Sequence, residues 1–314
     1  MSTPSIIGMR DAYFNALYQI FLKDKNAILV SGDNGAPTMD RISELPNQFQ
    51  NVGISEQQMV GMACGLALEG KRAWVYAINP FIAFRALEFV KIDMAAMNLP
   101  IVALGVGSGF AYDILGPTHH SVGWTAVLRP WPNLKLYSPA DSVTAGALAE
   151  INYEDKSPQY VQFDRTGIPN LYEGKADIDF HDGVICTKEG KDGYIVSHGV
   201  MVHQAMKVAK ALEGKGLNIG VIDLFRLKPV NHEVLFRHLA NVPRVISLEE
   251  DYLQGGLGSI LAELFVDHGI TKPLLRLGQP DKFAFELGGR EAIWRQYGLD
   301  EISLVKKISE WFAR

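Results

Sequence analysis

Short, continuous apolar runs set the first limit on this chain. Ala27-Ile-Leu-Val-Ser31, Trp74-Val-Tyr-Ala-Ile78 and Leu99-Pro-Ile-Val-Ala-Leu104 show no polar alternation, so strands formed there are covered on both faces. Between them lie stretches of helical period: Arg10–Leu22, a run from Ser55 through Met59, Ala63 and Leu66 to Gly70, and Phe84–Met97. Strands separated by helices pair in parallel, with the helices crossing over both faces. A strand at Leu134–Tyr137 and a helix at Ser142–Ile151 extend the series. A polar, turn-rich stretch from Gly167-Ile-Pro169 to Gly193 interrupts it. The alternation then resumes with strands at Tyr194–Ser197, Leu217–Leu224 and Val245–Leu248, and helices at His203–Glu213, Leu257–His268 and Glu301–Phe312. The predicted fold class is α/β: two three-layer α/β/α domains with mainly parallel sheets. Their expected extents are residues 1–170 and 191–314, joined by a linker over 171–190 that includes a leading strand.

Composition removes several classes of function. A length of 314 residues suits two domains, and 47% hydrophobic against 21% charged residues suits folded cores. The formal net charge of −5 gives no basic face for nucleic acid. No apolar run is long enough to span a bilayer, and Met1-Ser-Thr-Pro-Ser5 lacks a signal pattern, so a cytoplasmic location with no membrane partner is expected. Cys64 and Cys186 form no CxxC pair and read as reduced, buried thiols. His119 and His120 have no third ligand at a helical or hairpin offset, so no metal set is assigned to this chain.

Two glycine-rich strings invite a nucleotide reading and fail it. Gly105-Val-Gly-Ser-Gly109 has Phe110 where a dinucleotide fingerprint needs glycine, and reads as a strand-end turn. Gly255-Gly-Leu-Gly-Ser259 opens a helix with free N–H groups but has no following lysine, and close backbone packing is the expected reason for it. Glu56 is more informative. It stands in Asn51-Val-Gly-Ile-Ser-Glu-Gln-Gln58, at the first turn of a helix whose next residues, Met59, Met62, Ala63 and Leu66, are apolar. Any isolated glutamate is favoured there by the helix dipole, but this one faces desolvation, which suits proton work. His119, in Gly116-Pro-Thr-His-His120, follows a buried strand and its glycine loop, where parallel α/β domains place function.

Together these pieces resemble one family. Ile54-Ser-Glu-Gln57, Gly65-Leu-Ala-Leu68, Phe81 and Phe84, Gly116-Pro-Thr-His119, Leu128-Arg-Pro-Trp-Pro-Asn133 and Pro139-Ala-Asp141 occur in the order and spacing of transketolase-type enzymes. Val221-Ile-Asp-Leu-Phe-Arg-Leu-Lys-Pro229, Leu248-Glu-Glu250 and Gly255-Gly-Leu-Gly258 look like their C-terminal domain. The resemblance spans essentially the whole chain. It implies a thiamine-diphosphate enzyme whose pyrimidine-binding domain precedes its C-terminal domain. Glu56 then matches the glutamate on the aminopyrimidine ring nitrogen, Phe84 the aromatic stacked on that ring, Phe81 a nearby wall, and His119 a histidine that meets the substrate or its adduct. Arg10 and Arg165 match two arginines that grip a sugar phosphate.

The family's magnesium motif, Gly-Asp-Gly with a later asparagine, is not matched. Gly32-Asp33-Asn34-Gly35 is the nearest string, and it lies inside the pyrimidine-binding half. The resemblance therefore implies the C-terminal half of a split transketolase. A partner polypeptide would carry the diphosphate and Mg2+ site, and a homodimer of this chain would sit within an α2β2 assembly. Three departures bear on substrate. Leu115 replaces the aspartate that meets an acceptor hydroxyl, Gly107 replaces a phosphate-side histidine, and Phe225 stands where deoxyxylulose-phosphate synthase has arginine. The expected activity is transfer of a two-carbon ketol or acyl unit from a ketose or 2-oxoacid to an aldehyde. The alternatives are the β subunit of an E1-type 2-oxoacid dehydrogenase, or a non-catalytic half that only completes a partner.

Overall fold

The computed structural model describes residues 7–35, 38–173 and 178–314. The leader-free reading of Met1–Ser5 and part of the expected linker lie outside these. In the first half, strands β1 (Ala27–Ser31), β2 (Phe49–Asn51), β3 (Arg72–Ile78), β4 (Ile101–Val106), β5 (Lys135–Tyr137) and β6 (Gln159–Phe163) assemble in the order β5-β6-β4-β3-β1-β2, all parallel. In the second half, β7 (Ile185–Lys188), β8 (Gly193–Ser197), β9 (Ile219–Asp223), β11 (Arg244–Tyr252) and β12 (Leu274–Gln279) give the order β12-β11-β8-β9-β7, antiparallel only at the β7 edge. Between them in the chain, β10 (Arg226–Lys228) leaves its own half and adds antiparallel to β5, making the first sheet seven-stranded.

The α/β class is therefore as the apolar runs require. β3 and β4 are buried along nearly their whole length, which is why they read as unbroken hydrophobic runs. The helix Met9–Lys23 buries Tyr13, Phe14, Leu17 and Phe21 completely, each side chain contributing about 1.5–3 kcal/mol. Phe14 meets Tyr76 of β3 edge to face, with ring centroids 5.0 Å apart. No described helix is long and apolar enough to cross a membrane. Cys64 and Cys186 are free thiols, the first buried and the second half-buried.

The largest local surprise is the segment 81–96. Its sequence predicts an ordinary helix from Phe84, but the helical turns begin at Asn79 and from Phe81 are mostly π-helical, over Phe81–Arg85 and Val90–Ala96. The Ala86 N–H reaches back to the Phe81 carbonyl at 3.2 Å. Such wide turns redirect side chains away from the 3.6-residue spacing and concentrate at functional sites.

Candidate active site

Glu56 is the first residue of the helix Glu56–Leu68 and is only 1% exposed. Two local features place it. Gly53 takes a left-handed φ of +73°, and the Ser55 hydroxyl donates to the Val52 carbonyl at 2.9 Å. The next turns bury Met59, Val60, Ala63 and Cys64, so the carboxylate stands at the rim of an apolar layer. Its partner is Arg85, whose Nη1 donates to Glu56 Oε2 at 2.7 Å. The pair is asymmetric: the Glu56 side chain is 2% exposed and that of Arg85 41%. The π-helical turn carries Arg85 to Glu56 while its guanidinium lies 4.2 Å from the centroid of Phe81.

From Phe81 the contacts run on to His119. Their ring centroids are 5.1 Å apart in an edge-to-face arrangement. Thr118 Oγ1 lies 2.9 Å from His119 Nδ1, and Tyr112 sits on the other side with centroids 5.9 Å apart. Burial, together with the nearby Arg85 charge, lowers the His119 pKa and favours the neutral ring. Phe84, one residue before Arg85, is 38% exposed, and its ring edge comes near Gly123. An exposed phenylalanine ring is an unfilled aromatic surface.

The two predicted arginines flank Tyr112. The Arg165 guanidinium is 5.0 Å from the Tyr112 centroid, and both Arg165 and Arg10 act on the charge state of its phenol. Burial nevertheless dominates and raises the Tyr112 pKa. Arg10 also lies beside the buried Tyr76 hydroxyl and pairs with Asp11 at 3.1 Å. Arg165 is exposed. Leu115 is 46% exposed in the loop before His119 and presents no hydrogen-bonding group.

The structure also accounts for two departures from the resembled pattern. Gly107 has φ +98°, and a Cβ there would meet the Tyr112 ring at 2.2 Å. The room that a larger residue would need is taken by Tyr112. Phe225 is fully buried and packs on Phe180 with centroids 6.3 Å apart, so it belongs to the core. Asp33 of the Gly-Asp-Asn-Gly string is left-handed at φ +59° and accepts from the Asn51 amide at 3.1 Å, tying two loops together.

Glu56, Phe81 and His119 are thus linked into one surface, with Arg10 and Arg165 around Tyr112 beside it. Arg85 and Tyr112 were not singled out from sequence. Arg85 meets its partner across 29 residues through a π turn, which spacing rules do not anticipate. Arg290 was missed too. Its backbone N–H donates to Asp113 Oδ2 at 2.9 Å, and its guanidinium reaches Asp164 at 2.6 Å and Glu250 Oε1 at 2.8 Å. Arg290 therefore ties the loop bearing His119, through its backbone N–H, and the residue before Arg165, through its guanidinium, to the second half. Burial alone would raise the Asp164 carboxyl, but Arg290, Ser108 and Thr166 together hold it below the usual carboxylate range.

Comparison with known proteins agrees with this geometry. Residues 6–169 match the family model of the transketolase pyrimidine-binding domain, and residues 183–303 match that of the transketolase C-terminal domain. The chain is 33% identical over 313 residues to a protein of Phocaeicola vulgatus named as one subunit of an apulose-4-phosphate transketolase, covering 99% of each. It is 34% identical over 244 residues to a 1-deoxy-D-xylulose-5-phosphate synthase of Crocosphaera subtropica, covering 76% of this chain but only 38% of that longer protein. A solved split-gene transketolase, described as an inactive β4 tetramer, superposes with a TM-score of 0.85 at 30% identity, covering 97% of both chains. The ordered motifs, the two parallel sheets and these matches agree: the chain belongs to the transketolase family and spans its pyrimidine-binding and C-terminal domains.

Proposed function

We propose that this chain is the pyrimidine-binding subunit of a thiamine-diphosphate-dependent, transketolase-like transferase. It would move a two-carbon ketol or acyl unit from a ketose or 2-oxoacid donor to an aldehyde acceptor. The observation that carries the reading is Glu56: a buried carboxylate ion-paired with Arg85, whose guanidinium lies over Phe81 and through it meets His119, while Phe84, next to Arg85 in the chain, is exposed. That set fits an aminopyrimidine, which needs a carboxylic group at its ring nitrogen and a flat apolar surface for its face. When bound, the cofactor supplies a carbon nucleophile that the protein's own side chains lack. Glu56 holds or shares a proton at the ring nitrogen, Phe81 and Phe84 orient the ring, and neutral His119 exchanges a proton with an oxygen of the substrate. In this reading residues 1–170 form the pyrimidine-binding domain, 171–190 the connection and 191–314 the C-terminal domain.

The diphosphate and its Mg2+ ion fall to a partner polypeptide, in an α2β2 assembly built on a homodimer of this chain. The unmatched magnesium motif supports this, as does the similarity to a relative that is itself named as one subunit of a transketolase. Arg10 and Arg165 would take an anionic end of the substrate, and Leu115 would leave an acceptor 2-hydroxyl unmet.

The decisive experiment reconstitutes the chain with its partner, thiamine diphosphate and Mg2+. Glu56→Gln keeps the shape but cannot exchange a proton, and turnover is expected to fall by at least about a hundredfold, the lower bound of a general acid–base contribution. Turnover close to wild type would overturn the assignment. A second measurement concerns substrate. Arg165→Ala is expected to raise KM for a phosphorylated substrate by roughly tenfold or more, the worth of a charge-assisted contact, and to leave an uncharged analogue nearly unchanged. In the same assay Leu115→Asp should raise kcat/KM for a 2-hydroxyaldehyde relative to its deoxy analogue. Unchanged ratios would remove Arg165 and Leu115 from substrate recognition.

A further inference from the structure

We propose that Cys186, Glu189 and His238 form a divalent-metal site of the zinc type on the outer edge of the second sheet. It shares no residue with the candidate active site and does not depend on the function proposed above. Cys186 lies in β7, the antiparallel edge strand, and Glu189 follows its last residue. His238 occupies the last turn of the helix His232–Leu239. The Cys186 Sγ, a Glu189 carboxylate oxygen and a His238 ring nitrogen all lie within 4.8 Å of one another. Ligands bound to one tetrahedral zinc at its usual bond lengths stand about 3.3–3.6 Å apart, so side-chain rotation by about an ångström closes the set.

A second feature supports the cluster: the carboxylate is already held by another side chain. The Tyr194 hydroxyl donates to Glu189 Oε2, and Cys186 Sγ lies 4.0 Å from that same hydroxyl. An outer residue that orients a ligating carboxylate is the usual companion of a metal ligand. The donor set of one thiolate, one imidazole and one carboxylate selects a borderline-soft ion such as Zn2+ over Mg2+ or Ca2+, and leaves a fourth position for water. On binding, the thiol gives its proton to solvent and sulfur bonds to the metal. The ion would clip the edge strand to the helix His232–Leu239. Sequence spacing hid this set because its third ligand comes 49 residues after the second, outside the offsets of known zinc motifs.

The test uses the full chain after chelator treatment. Zn2+ titrated calorimetrically should bind at one equivalent per chain, and Co2+ should produce a thiolate-to-cobalt charge-transfer band. Cys186→Ser should abolish the band, and Cys186→Ser and His238→Ala should each weaken Zn2+ binding by about tenfold or more. Cys64→Ser, which removes the chain's other thiol, should change neither. Zn2+ should also raise the unfolding temperature of the wild-type chain and of Cys64→Ser, and not that of the other two variants. The proposal fails if no saturable one-equivalent binding is found, if no thiolate band appears, if His238→Ala binds Zn2+ as tightly as wild type, or if Cys64→Ser removes the band.

Discussion

The two parallel sheets place acidic residues at similar points and treat them in opposite ways. Beside the first sheet, Glu56 has one ion-pair partner among the described residues, Arg85, whose own side chain is 41% exposed and lies over the Phe81 ring. At the end of β11, Glu249, Glu250 and Asp251 are all buried, and each accepts hydrogen bonds from the chain itself. Glu249 accepts the N–H groups of Leu257 and Gly258 at 2.6 and 2.9 Å, so the start of the helix Leu257–Asp267 is filled by an internal carboxyl group. Glu250 is taken by Arg290 and Trp294, and Asp251 by the N–H groups of Gly123 and Tyr252. Asp223, at the end of β9, accepts from the Tyr172 hydroxyl at 2.9 Å. A shared topology therefore does not by itself make a shared site. Chemistry is possible where the chain leaves an acid for something else to complete; where the chain completes it, the result is structural, and through Asp251–Gly123 and Arg290–Asp164 also a joint between the two halves.

The contrast is most easily broken at Arg290. Its side chain is 14% exposed and bridges Asp164 and Glu250, whose own side chains are 1% and 4% exposed. Arg290→Ala leaves two buried carboxylates unpaired, and a loss of about 3–5 kcal/mol is expected from urea unfolding. At the open end, Glu56→Gln should cost no more than about 1 kcal/mol in the same measurement, even though the proposed activity would depend on it. Comparable losses for the two variants would show that both ends are structural.

Phe84 sharpens the same comparison at smaller scale. Because the ring is already partly solvated, Phe84→Ala should leave unfolding within about 1 kcal/mol of wild type. In the reconstituted complex it should weaken thiamine diphosphate binding by several-fold, from the roughly 0.5–1.5 kcal/mol of an aromatic stack. A calorimetric Kd unchanged from wild type would take Phe84 out of the cofactor's surroundings.

A further test lies in pH dependence. Burial, and then the neighbouring Asp251, push the Glu249 pKa up to about 8, from an ordinary value of 4.5. The folded state thus holds a proton that the unfolded chain releases. That contribution is fully present below pH 4.5 and is lost as pH rises to about 8. Glu249→Gln should flatten this decline in a series of urea midpoints across the window. An identical slope in the variant would mean that Glu249 is charged in the fold.

Much of this was legible in the residues. Unbroken apolar runs at Ala27–Ser31 and Trp74–Ile78 can only be strands covered on both faces, and both form as read, the second two residues longer. The helix beginning at Glu56 follows from its apolar face, and the family follows from an ordered set of motifs. Other elements gave weaker signals. β2, β5 and β10 have three residues each, and of these only β5 could be read from its sequence. β10 pairs with a strand about 90 residues earlier, so its membership of the first sheet depends on how the halves pack.

The side-chain partnerships belong to tertiary structure for the same reason. Sequence by itself determined the class of fold and the residue types that a thiamine enzyme of this family needs. It could not tell which strand-end acids remain available, because that depends on long-range partners. Arg290 closes Glu250 across 40 residues, and Arg85 reaches Glu56 only because a π turn swings it there. Local propensity and periodicity are properties of neighbours along the chain, whereas burial and charge pairing are properties of neighbours in space.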